Sequence, residues 1–169
     1  ENTIYRGEVS VENGQFEYKF IVPLDISYNI DYGKINYYAE NEEIDAHGSY
    51  TDVLIGGLNV NAAADNVGPD IELFINDRSF VSGGITNSSP VVYVEVFDSS
   101  GVNTVGNGIG HDIIAVLDDN TNSTFVLNDY YEADLNSFQS GKIQYPMQGI
   151  EPGEHKLLFR VWDVYNNPS

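Results

Sequence analysis

Cysteine is absent from this chain of 169 residues. That excludes disulfides, zinc-thiolate centres and a cysteine nucleophile within it. Basic residues are scarce too: 7 Lys and Arg stand against 26 Asp and Glu, for a formal charge of −19. So acidic a surface repels phosphate backbones and anionic lipid, which argues against nucleic acid and against direct membrane binding. It suits solubility, cations or a basic partner. No apolar run approaches the roughly 18 residues of a membrane helix. Catalytic signatures are also missing: there is no Gly-x-Ser-x-Gly elbow, no His-Glu-x-x-His and no phosphate loop. The chain opens on Glu1 without a Met or signal peptide and stops at Ser169 after a strand-like run, as a piece of a longer protein would.

What is present is aromatic and alternating. Twelve Tyr and eight Phe supply a packed core. Period-two patterning dominates, which predicts half-buried strands. It runs through Phe16/Tyr18/Phe20/Val22, Ile35/Tyr37/Ala39, Val53/Ile55, Ile71/Leu73/Ile75, Val92/Val94/Val96, Ile113/Ala115/Leu117, Ile143/Tyr145 and Leu157/Phe159/Val161. Turn residues separate the runs, among them Asn13-Gly14, Gly83-Gly84, Asp118 to Asn122 and Pro152-Gly153. The best helix candidate is a short turn within Tyr130–Ser140, capped by Asp134. Evenly spaced short strands make this an all-β chain. A small, polar junction at Asn61–Pro69, closed by Gly-Pro, divides it. We expect a smaller, truncated β domain over 1–66 and an Ig-like antiparallel β-sandwich over 67–169.

Three His could serve chemistry. His47 lies in a polar loop, His155 follows Pro-Gly and suits a turn-locking hydrogen bond, and His111 beside Asp112 is the best general base or ligand. A hydrolase needs a nucleophile or a carboxylate pair beside His111, and the sequence nominates neither. Asp118-Asp119, Glu42-Glu43 and Asp129 with Glu132 and Asp134 are explained as turn formers. No catalytic residue and no organic cofactor is expected. Calcium is the better chemical expectation, because it takes six to eight oxygen ligands. Asp65, Asn66 and Asp70 at the junction, and Asp98 in the oxygen-rich turn Asp98–Asn103, are the candidate ligands. Sugar stacking on Tyr37, Tyr130 and Trp162 is the alternative, as a free-standing carbohydrate-binding module.

The turn segments come in a specific order: Phe-x-x-Gly-Gly from 80, Asp-x-x-Gly-x-Asn from 98, Gly-Ile-Gly-His-Asp-Ile from 108, Leu-Asn-Asp-Tyr-Tyr-Glu from 127, Gly-Lys-Ile-x-Tyr-Pro from 141, Pro-Gly-x-His from 152 and Val-Trp-Asp-Val-x-Asn-Asn from 161. Earlier come Tyr-Arg-Gly from 5, Val-Pro-Leu-Asp-Ile from 22 and Gly-Lys-Ile-x-Tyr-Tyr-Ala from 33. In this order they resemble the C-terminal β-sandwich region of the PorU family, the gingipain-type cysteine peptidases that act as sortases of the type IX secretion system. The resemblance covers nearly the whole chain. It implies a parent at the outer-membrane surface of a Bacteroidetes-type bacterium. That parent removes C-terminal sorting domains from cargo and joins the new ends to an anionic lipopolysaccharide. It implies that this chain is the non-catalytic part. Its expected partners are the peptidase domain of the same chain and cargo sorting domains or sortase-complex subunits. The family's catalytic Cys and His have no counterpart here, and His111 falls in the sandwich motif.

Overall fold

The computed structural model describes residues 3–26, 29–41, 43–62, 64–105 and 110–169. Gly108 and Ile109 of the motif before His111, and Glu42 of the Glu42-Glu43 pair, lie outside the described residues. The chain is almost entirely β, as its alternation predicts, and all its strand pairs are antiparallel.

Among the described residues, nine strands form three sheets. β1 (Asp31–Glu40) and β2 (Asp45–Ile55) make a hairpin of two long strands. β3 (Asp70–Ile75), β4 (Val91–Phe97), β8 (Ser140–Pro146) and β7 (Tyr131–Ala133) make a sheet in the order β3-β4-β8-β7. β5 (Ile114–Leu117), β6 (Thr124–Val126) and β9 (Leu157–Arg160) make the other, in the order β6-β5-β9. These orders match the ABED and C′CF sheets of an immunoglobulin-like sandwich.

The core lies between the two larger sheets. Val92, Val94 and Val96 alternate inward from β4 and are at most 2% exposed. They meet Ile143 of β8, Ala115 of β5, and Ile113, Leu127 and Val161 from the flanking segments. Burying each such side chain contributes about 1.5–3 kcal/mol. Outward from the same strand point Tyr93, Glu95 and Phe97, the other half of the period.

Three expectations need correction. Phe16–Val22 forms no strand; its backbone is unpaired among the described residues, apart from a bridge of Glu12 with Gln15 before it. The alternation there serves a ring stack instead: Phe16, Tyr18, Phe20 and Tyr5 lie in series at centroid distances of 6.4, 6.1 and 4.6 Å. No helix forms within 131–140: a single 3-10 turn over Asn128–Tyr130 ends there, because Tyr131–Ala133 pairs with Ile143–Gly141 of β8. Asp134 caps nothing helical; its carbonyl accepts from the Ser137 amide in a turn. His47 lies in β2 opposite Tyr38, not in a loop.

The N-terminal segment runs across the sandwich as a strap. At one end the Asn136 amide donates to the Glu8 carbonyl at 2.9 Å, and Ser10 exchanges bonds with the Asn136 side chain. At the other, the Leu24 amide donates to the Val164 carbonyl at 2.9 Å. The strap leads directly into the hairpin.

Candidate functional site

The densest polar chemistry lies where the strap, the junction and the 161–167 segment meet. Asp98 follows β4, and its Oδ1 accepts from the amides of Ser100 and Gly101 at 2.7 and 3.0 Å. This turn needs Gly101, whose φ is 108°. A Cβ there would also sit 3.0 Å from the Phe138 ring. Asp163 builds a similar turn: its Oδ1 accepts from Tyr165 and Asn167, and its Oδ2 from the Asn167 side chain at 2.7 Å. The Val164 amide donates to the Gly101 carbonyl and holds the two turns together. Asp65 enters from the junction, accepting from the Val67 amide and the Ser100 hydroxyl.

One carboxylate oxygen from each of Asp65, Asp98 and Asp163 lies within 4.8 Å of the others. Asp98 is 5% exposed and Asp163 is fully buried. Among the described residues no Lys, Arg or His pairs with any of the three. Burial, then the negative charges of Asp163 and Asp65, push the Asp98 carboxyl above its ordinary range, against the pull of two amide bonds. The Ser100 hydroxyl and the Val67 amide hold Asp65 below its own. Three converging carboxylate oxygens, with the Ser100 hydroxyl beside them, match the donor preference of a hard divalent cation.

Two of the four ligands expected from sequence, Asp65 and Asp98, are therefore brought together. Asn66 is exposed beside Asp65, and Asp70 starts β3 opposite Phe97, outside the cluster. Asp163 was missed. Its side chain makes an Asx-turn to the Tyr165 amide two residues on, a local role that does not mark it as a ligand, and nothing in a single sequence joins position 163 to 65 or 98.

A second node anchors the strap. Asp25 has a side chain only 7% exposed. Its carboxylate accepts from Asn103 Nδ2 at 2.8 Å and Asn166 Nδ2 at 3.0 Å, and both its oxygens lie 2.9 Å from His111 Nδ1. A carboxylate only accepts, so Nδ1 carries the proton. The His111 ring rests against Trp162 at 4.4 Å. This is a structural anchor. Among the described residues no hydroxyl bonds His111, so a nucleophile–base pair is not assembled. His155 locks its turn as expected: Nδ1 meets Asp118 Oδ2 at 2.8 Å and Nε2 meets the Glu151 carbonyl at 2.7 Å.

The three aromatic rings nominated for sugar stacking do not form a row. Tyr37 packs on Phe16, Tyr130 on Tyr145 and Trp162 on His111, with no ring contact joining them among the described residues.

Fold and site together describe a small immunoglobulin-like β domain whose polar clusters pin loops and whose histidines lack a nucleophile among the described residues. A solved structure is similar in fold: dimeric latent PorU from Porphyromonas gingivalis matches with a TM-score of 0.62 and 36% identity. The match covers 94% of this chain and 15% of that one, so the chain spans a small part of that protein's length. It supports a PorU-like domain. No family model and no curated protein matches the chain.

Proposed function

We propose that this chain is the non-catalytic C-terminal β region of a type IX secretion sortase-like cysteine peptidase. The supporting observation is the 36% identity to PorU across 94% of the chain. In this reading the parent works at the outer-membrane surface of a Gram-negative bacterium. It cleaves C-terminal sorting signals and attaches the cargo to lipopolysaccharide. The β region supports the peptidase domain and docks cargo or partner subunits.

The β1–β2 hairpin is the surface for the peptidase domain. Two strands alone are marginal in water. Yet Tyr32, Tyr38 and Leu54 stand 69%, 64% and 60% exposed on it. Tyr32 and Leu54 are register partners, so their side chains share one open face. Mixing this chain with the parent's peptidase domain and following amide exchange tests the assignment. We expect slowed exchange in β1 and β2, abolished by Leu54→Asp. Unchanged hairpin exchange at saturating peptidase domain would refute it.

The second part of the proposal is calcium at Asp65, Asp98 and Asp163. Two buried carboxylates beside a third are costly without a counter-charge. Calcium at 100 times its dissociation constant stabilises by about 2.7 kcal/mol. For a chain of this size that is a rise in Tm of about 5–10 °C over a chelated sample. Asp98→Asn keeps the turn acceptor and removes a buried charge, so it should lose the calcium response and melt higher than the parent chain in chelator. An identical Tm with chelator and with calcium would sink this part alone.

A further inference from the structure

β3 is the open edge of the β3-β4-β8-β7 sheet. Its six residues pair with β4 in unbroken register from Asp70↔Phe97 to Ile75↔Val92. Apart from the Ile75 carbonyl, which accepts from the Asp77 amide at 2.9 Å, Asp70–Ile75 makes no backbone hydrogen bond beyond β4 among the described residues. Native edge strands are usually blunted by Pro, Lys or a bulge. β3 carries none of these.

The side chains of β3 look unfinished as well. Ile71, Leu73 and Ile75 face the core but stay partly exposed, whereas Val92, Val94 and Val96 on the neighbouring strand are at most 2% exposed. One more strand would close that flank. On the outer face runs the cross-strand row Glu72, Glu95, Lys142, Glu132. Like charges directly opposite, as Glu72 and Glu95 are, destabilise a sheet. Arg78 pairs with Glu95 and Lys142 with Glu132, which leaves Glu72 and Asp70 without a cation among the described residues. Beside them lies a groove of about 440 Å³, also lined by Tyr93 and Phe97.

We propose that the free edge of β3 binds an extended segment of a partner protein as an added strand. The segment alternates apolar residues, which cover Ile71, Leu73 and Ile75, with Lys or Arg, which neutralise Asp70 and Glu72. A strand added to a sheet edge continues the period of two, so both demands fall on one peptide. A second copy of this chain is a poor occupant. Antiparallel pairing of two β3 edges sets Asp70 and Glu72 of one copy against the same row of the other. The site needs only the sandwich, so it stands apart from the hairpin assignment, and the peptidase-mixing experiment can fail without touching it.

The test uses the whole chain and two capped synthetic nonapeptides, one alternating Val and Lys, the other Val and Glu. Amide exchange is followed residue by residue, with binding titrated in low and high salt. The Lys peptide should slow exchange at β3, and it should bind about tenfold more weakly to Glu72→Lys, since screened charge pairing supplies the preference. The Glu peptide should gain affinity for that variant, whose melting curve verifies its fold. Slowing at β3 by neither peptide, or by both equally, would overturn the proposal. So would β3 protection that grows with chain concentration in the absence of peptide, which assigns the edge to a second copy.

Discussion

His155 shows how a single side chain can be read in advance and then sharpened. Following Pro152-Gly153, it was expected to lock a turn, and it does. The structure adds a charge. Both ring nitrogens face acceptors, a carboxylate and a carbonyl, so both must donate and the ring is an imidazolium. The Asp118 hydrogen bond, helped by the Glu151 carbonyl, raises the His155 pKa above its usual value. A raised histidine stabilises fully below its ordinary pKa, and that contribution is lost as pH rises through the folded value. Asp118 moves the other way, held down first by the Lys156 amide and then by His155. Its contribution is present above the ordinary aspartate range and is lost as pH falls through the lowered folded value. The 151–157 turn should therefore be tightest between the two. Nuclear magnetic resonance of the imidazole should show a titration displaced upward, with the Lys156 amide exchanging faster above it. His155→Gln should erase that pH dependence. The acidic cluster was only half legible at this scale. Asp65 and Asp98 sit in turns whose oxygen density is local, whereas Asp163 joins them through folding alone. The His111–Asp25 pair spans 86 positions and gave no local sign.

Among elements, the sandwich strands were legible because burial on one face forces a period of two. The failures share one cause: alternation reports which side chains gather, not whether the backbone finds a partner. Phe16, Tyr18 and Phe20 gather their rings without a paired backbone. Val53 and Ile55 marked only the last part of β2, because its earlier residues are exposed on both faces. The strap was invisible for the same reason: it is held by contacts distant in sequence, among them those of the buried Asp25 carboxylate. Asp25→Ala leaves the side chains of Asn103, His111 and Asn166 without their acceptor, at a cost of about 3 kcal/mol. The loss should be local. The Leu24 amide, bonded to Val164, should exchange about a hundredfold faster, while amides of β4 keep their protection. Equal acceleration in β4 would mean that the strap and sandwich unfold as one unit.

For the whole molecule, the all-β architecture was readable from the alternation, and the comparison with PorU supports a PorU-like domain. The way 3–26 lies on the sandwich was not readable. Hydrogen bonds from Asn136 and Asn167, and one from the Leu24 amide to the Val164 carbonyl, tie residues before 66 to those after it. Long-range closure of this kind depends on which loops meet, and no single segment encodes that. The acidic surface gains a direction from the structure, because the unmatched charge at β3 lies beside an open edge. The central claim, a non-catalytic β region of a sortase-like cysteine peptidase, is tested most directly by determining the residues that precede Glu1 in the native polypeptide, by tandem mass spectrometry of the intact protein. The account predicts a caspase-like domain carrying a Cys and a His in catalytic proximity. A preceding sequence with no such pair, or a native protein that begins at Glu1, would contradict it.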